Sequence, residues 1–97
     1  MVHHLVWLRA RPGVTDERMS DLLEDVRALA GVIPGVVAVN VGSNFTDRAM
    51  GYSHAAVVVL ESREALEPYL THSEHLAVGE RLREFCEVLA LDFEDLA

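Results

Sequence analysis

Five histidines are placed along a chain of 97 residues, and two of them sit three apart beside a tyrosine: Tyr69, His72 and His75. A histidine near its ordinary pKa of about 6.5 can take up or return a proton at neutral pH. A tyrosine hydroxyl can donate a hydrogen bond to a carbonyl that gains negative charge. Together His75 and Tyr69 suit removal of a proton next to a carbonyl, followed by attack of the resulting enolate. His4 and His54 lie in apolar, β-prone runs and can line the same pocket, mostly apolar with a few polar groups, as small-molecule sites are. The competing reading is that His4 and His54 are satisfied core residues and that Tyr69 only packs. A metal is the weaker possibility. His72-x-x-His75 supplies two ligands where zinc needs three or four, and no Cys-x-x-Cys or His-Glu-x-x-His pattern completes it. The reading therefore calls for no metal and no cofactor.

These side chains need elements to hold them. Residues 2–9 (VHHLVWLR) form a β-prone run that ends at Arg11-Pro12-Gly13, a turn signal. Thr15 is suited to cap a helix carrying Met19, Leu22, Leu23, Val26, Leu29 and Ala30 at helical spacing. Gly31 and Pro34-Gly35 close it. Residues 36–41 and 52–60 read as strands, with an exposed loop over 42–51. Ser62 is placed to cap a short helix to about Leu70, shortened or kinked by Pro68. Ser73 is placed to cap another helix carrying Leu76, Val78, Leu82, Phe85, Cys86 and Leu89, and residues 88–93 make a last strand. The order is βαββαβ, which predicts a ferredoxin-like α+β fold: one antiparallel sheet with its helices on one face. In such a sheet the first and third strands are neighbours. His4 and His54 share the parity of Val6, Leu8, Val58 and Leu60, so both are expected to face the space under the helices.

The opposite parity is apolar too: Leu5 and Trp7 in the first strand, Ala55, Val57 and Val59 in the third. A half-solvated antiparallel sheet should alternate apolar with polar. Helices cover only one face, and the economical cover for the other is the same sheet from a second copy. The expectation is a homodimer closed into an α+β barrel.

Composition narrows the function classes. Sixteen acidic residues against eight basic ones, all arginine, give a net charge of −8, which repels phosphate backbones and argues against nucleic acid as a partner. No apolar run approaches the ~18 residues that span a bilayer, and no signal peptide is visible, so no membrane partner is expected. Cys86 stands alone, which fits a reducing compartment such as the cytoplasm. Glycines 35, 42 and 51 make no phosphate-binding fingerprint.

Over nearly its whole length, residues 1–97 as a single domain, the chain resembles the stress-responsive A/B barrel (Dabb) family. The blocks that carry the resemblance are VHHLVWLR, Val32-Ile33-Pro34-Gly35, VGSNFT, GYSHAAVVVLES, YLTHSEHLAVGE and LALDF, in that order and spacing. The resemblance implies a dimeric α+β barrel. Many members have no assigned activity, but one is a polyketide cyclase that directs an intramolecular aldol condensation of a linear polyketide thioester and keeps the carboxylate. Its histidine base corresponds to His75, its carbonyl-holding tyrosine to Tyr69, and its strand histidines to His4 and His54. The resemblance thus implies catalysis by His75 and Tyr69 on a poly-β-ketone. His4, Val6, Leu8, His54, Val58, Leu23 and Val26 would form the substrate wall. The chain departs from the family where His72-Ser73-Glu74-His75 replaces His-Pro-Ala-His and where Pro68 precedes Tyr69. Leu23 and Val26 also stand where the cyclase has aromatic residues, which implies a differently shaped pocket. Two alternatives share the fold: a non-catalytic dimer that binds an apolar molecule or serves in stress response, and a cofactor-free monooxygenase.

Overall fold

Alternating β-branched and large apolar residues make Val2–Ala10 a strand, β1, and its neighbours follow from pairing with it. In the computed structural model, which describes residues 1–97, the order is β1, α1 (Asp16–Ala28) with a 3-10 turn at Leu29–Gly31, β2 (Val36–Ser43) and β3 (His54–Leu60). A 3-10 turn at Arg63–Ala65 follows, then α2 (Leu66–Thr71), α3 (Ser73–Phe85) and β4 (Cys86–Glu94). The sheet runs β2-β3-β1-β4 with every pairing antiparallel. This is the ferredoxin-like α+β arrangement. No helix is long and apolar enough to cross a membrane.

Period-two alternation decides what each strand buries. Val2, His4, Val6 and Leu8 of β1 are buried against the helices, as are Ala56, Val58 and Leu60 of β3. Helix α1 lays Met19, Leu22, Leu23 and Val26 on this face. Its start is fixed by Thr15, whose hydroxyl accepts from the Arg18 amide at 3.1 Å, and by Asp16 and Glu17 in the first turn, where the helix dipole favours acids. Gly35, at φ +90°, makes the turn into β2; a side chain there would be strained and would stand 3.0 Å from the Ala65 methyl.

Several boundaries differ from the sequence expectation. Ser62 makes no side-chain capping bond, and the first turn after it is 3-10. Pro68 is tolerated because it sits in the first turn of α2, where a missing N–H has no helical partner to lose. His72, not Ser73, caps α3: its Nδ1 accepts from the Glu74 amide at 3.1 Å. Helix α3 ends at Phe85, so Cys86 and Leu89 belong to β4. The cause is pairing: the Arg11 amide bonds the Phe85 carbonyl, and Ala10 pairs with Cys86, so β1 draws the chain into extended form two residues early. Strand β2 runs on to Ser43, and β3 starts at His54 rather than residue 52.

Candidate functional site

His4 is the one polar side chain in the buried core, 3% exposed. A buried imidazole needs a hydrogen-bond partner, and β4 supplies it. Asp92 lies directly across from His4 in the β1–β4 register, and its carboxylate accepts a short hydrogen bond from His4 Nδ1. That bond fixes the tautomer and leaves His4 Nε2 for the interior.

Tyr69 and His75 come from either side of the break between α2 and α3. His72 makes that break with an extended backbone (φ −62°, ψ 137°), ending one helix and capping the next. The Tyr69 and His75 rings are 4.7 Å apart, and His4 lies 5.5 Å from Tyr69 and 6.4 Å from His75. His75 Nδ1 donates to the Leu70 carbonyl at 2.9 Å, so its Nε2 carries the free lone pair. Burial lowers the His75 pKa, and His4 and Arg83 push the same way against the pull of the Leu70 carbonyl. The ring is therefore neutral at pH 7 and able to accept a proton. Burial alone raises Tyr69 to about 12, so its hydroxyl keeps its proton and serves as a donor. A neutral base and a protonated donor thus face one cavity, the pairing that carbonyl chemistry needs.

That cavity holds about 20 Å³ and is lined by His4, Tyr69 and His75 with Val6, Leu8 and Val26. These are six of the nine residues expected from sequence. Leu23 and Val58 are buried in the same core but do not line it. His54 is elsewhere. It pairs with Leu8, four positions along β1 from His4, or about 13 Å at about 3.3 Å per residue. It lines instead a cavity of about 400 Å³ reaching the outer face of the sheet, beside Trp7, Tyr52 and Phe45. Burial lowers its pKa, partly offset by Asp16. Sequence reasoning did not single out Asp92 or Gly79. The signal for Asp92 was available: an acid in an apolar alternating strand, at the parity of Val88 and Ala90. No group of three or more His, Cys, Asp or Glu is arranged to hold a metal ion.

With the fold and this histidine–tyrosine constellation in place, comparison with known proteins is informative. The family model for the stress responsive A/B barrel domain matches residues 2–95. The chain belongs to that family. Olivetolic acid cyclase from Cannabis sativa is 28% identical over 92 residues, covering 93% of this chain and 91% of the cyclase. Among solved structures, an Arabidopsis thaliana protein superposes with a TM-score of 0.90 at 23% identity, covering 100% of this chain and 97% of that one. A hydroxynitrile lyase from Passiflora edulis gives 0.86 at 18% identity, covering 95% and 90%. A dimeric ferredoxin-like protein of unknown function from Thermobifida fusca gives 0.81 at 20% identity, covering 95% and 88%. Stress responsive A/B barrel relatives and neighbours of this fold thus include both a cyclase and a lyase, so the chemistry of this member has to be argued from its own site.

Proposed function

We propose that this stress responsive A/B barrel protein is a homodimeric, polyketide-cyclase-like enzyme that closes a ring in a poly-β-ketone thioester by intramolecular aldol condensation. The observation that carries the reading is the Tyr69–His75 pair on one cavity, with His75 Nε2 unprotonated. His75 Nε2 takes a proton from a carbon between two carbonyls. Tyr69 holds the carbonyl oxygen on which the enolate charge gathers. The enolate carbon attacks a ketone further along the chain, His75 returns its proton to the new alkoxide, and the resulting β-hydroxy ketone loses water to complete the condensation. His4, held by Asp92, orients the polyketide, and Val6, Leu8 and Val26 pack its apolar tail. His54, Val58 and Leu23 keep a place in this reading only if the cavity widens. At about 20 Å³ it admits a single water, so a polyketide enters only where the cavity opens.

The dimer in this reading packs outer sheet face on outer sheet face, covering Trp7, Leu89 and Leu91. The dimeric Thermobifida fusca neighbour supports a dimer, and the exposed apolar side chains of the outer face support this placement. Lone, buried Cys86 suits a cytoplasmic location. The test is His75→Ala assayed on a tetraketide thioester. Loss of the cyclised thioester by about 10²-fold or more, with the fold intact, is the expected outcome; undiminished cyclisation overturns the assignment. A second reading, a dimer that binds an apolar molecule without catalysis, draws on the mostly apolar lining of the cavity. It predicts a site that takes up ligand with no product from any poly-β-ketone.

A further inference from the structure

The cavity on the outer face of the sheet holds about 400 Å³ against about 20 Å³ for the inner one, which is within the range of small-molecule sites, about 300–1,000 Å³. Its cause is a step in side-chain size. Gly42, Ala55 and Trp7 stand side by side across β2, β3 and β1, so bare backbone and a single methyl group lie beside an indole. The chain itself gives Gly42 no reason to be glycine. Its backbone is not left-handed, and a methyl group there would meet nothing within 4 Å. A glycine inside a strand weakens it, and it marks a place where a ligand or another backbone comes close.

The walls are aromatic and preformed. Trp7 and Tyr52 meet edge to face with their centroids 5.8 Å apart. Arg9 ties the end of the β2–β3 loop to β1: it donates to the Met50 carbonyl at 3.2 Å and lies 4.4 Å over the Tyr52 ring. At the other end of the loop the Asn44 amide donates to the Ser53 carbonyl at 2.7 Å. The loop thus holds Phe45 at the rim of the cavity, 95% exposed, with nothing on its ring. Polar groups are few. Asn40, across from Val57, brings an amide with no partner in the chain, and no Asp, Glu, Lys or Arg lines the cavity. Leu89, Leu91 and Phe93, the large exposed side chains of β4, would bury that amide unpaired if a second copy laid them here, which is costly.

We propose that this outer cavity is a second small-molecule site, taking an uncharged, flat aromatic ligand that stacks within Trp7, Tyr52 and Phe45, approaches the backbone at Gly42 and hydrogen-bonds Asn40. The inference goes beyond the proposed function and uses neither His75 nor Tyr69. The pairing of copies proposed above runs over β1 and β4, and Trp7 stands at the border between that contact and the cavity.

Trp7 is the only tryptophan of the chain, so its emission reports binding here. The probes are N-phenyl-1-naphthylamine, uncharged with one N–H, and 1-anilinonaphthalene-8-sulfonate, the same ring system with a charge. The wild-type protein should bind the amine saturably, one per chain, with Trp7 quenched, and at least about tenfold more tightly than the sulfonate, whose charge finds no partner. Gly42→Val should weaken the amine at least about tenfold while the thermal midpoint holds or rises, since valine suits a strand and meets open space. Asn40→Ala should weaken it about three- to tenfold, the worth of one neutral hydrogen bond. Absent or unsaturable quenching in the wild type, no preference for the amine, or full binding in Gly42→Val overturns the inference. So does loss of binding in His75→Ala, which would place the probe in the inner cavity. Quenching that appears only on dilution to single chains overturns it as well, and would mean that the β4 side chains of a second copy fill the space.

Discussion

Strand β1 has two faces that obey different rules. Toward the helices it shows Val2, His4, Val6 and Leu8, all buried. Away from them it shows Leu5 and Trp7, with Trp7 43% exposed beside Leu91 at 61% and Phe93 at 46% on β4. The inner face is finished. It has a closed core, its polar group is hydrogen-bonded, and its histidines and tyrosine are poised by burial. The outer face is as apolar, and within one chain it is covered only in part, where Tyr52 of the β2–β3 loop packs on Trp7. The difference teaches that residue type alone does not say which side of this sheet holds the candidate site. What marks the inner face is polar groups that the packing has had to accommodate: His4 with Asp92, and His75 with the Leu70 carbonyl.

The largest effect expected from breaking the inner face is loss of stability. Leu8 is fully buried, and Leu8→Ala should cost about 2–5 kcal/mol in urea unfolding, through lost transfer energy and the cavity left behind. The outer face answers differently. Trp7→Glu combined with Leu91→Glu should leave the circular dichroism spectrum native while sedimentation shows a single-chain mass at concentrations where the wild type is paired; a mass unaltered by both charges would remove the outer face from the assembly. Within the inner face, Tyr69→Phe should lower turnover by about 10²-fold, as loss of a donor to a developing oxyanion does, while changing the unfolding midpoint little. The smallest effect is set by pH. Folding lowers the His75 pKa below its unfolded 6.5, so the folded state prefers the neutral ring. That contribution is complete above about pH 6.5 and is lost as pH falls through the lower folded value. His54 titrates in the same sense. Thermal midpoints should therefore decline from pH 7.5 to 5.5, with a shallower slope in His75→Ala; an identical slope would mean that the ring is solvated in the folded state.

Much of this was readable in the chain. The βαββαβ order, the Thr15 cap, the inward set of β1 and the nearness of Tyr69 to His75 follow from alternation, helical spacing and capping chemistry, all of which are local. What escaped was long-range. The parity of His54 is that of His4, yet parity fixes a face and not a position along it, and the β1–β3 register sets the two about 13 Å apart. Asp92 gains its meaning only from a register formed across 88 residues. Leu89 fits a helical spacing as well as a strand, and pairing with β1 decided between them. His72 displaced Ser73 as the cap because an imidazole nitrogen can accept from a backbone amide as a hydroxyl does, which propensity rankings for Ser, Thr, Asp and Asn pass over.

The sheet order has a consequence for how the molecule is made. β1, the first strand to be synthesised, pairs only with β3 and β4, whose residues begin at His54 and Cys86. Loop closure over such separations is slow, and transiently unpaired strand edges promote aggregation. An emerging chain thus carries the segment VHHLVWLR with no partner until β3 has been made, and with its second neighbour missing until β4 follows. Refolding from denaturant should accordingly be limited by the docking of β4 against β1, and slow translation through the α3 region would prolong the interval in which that segment is exposed.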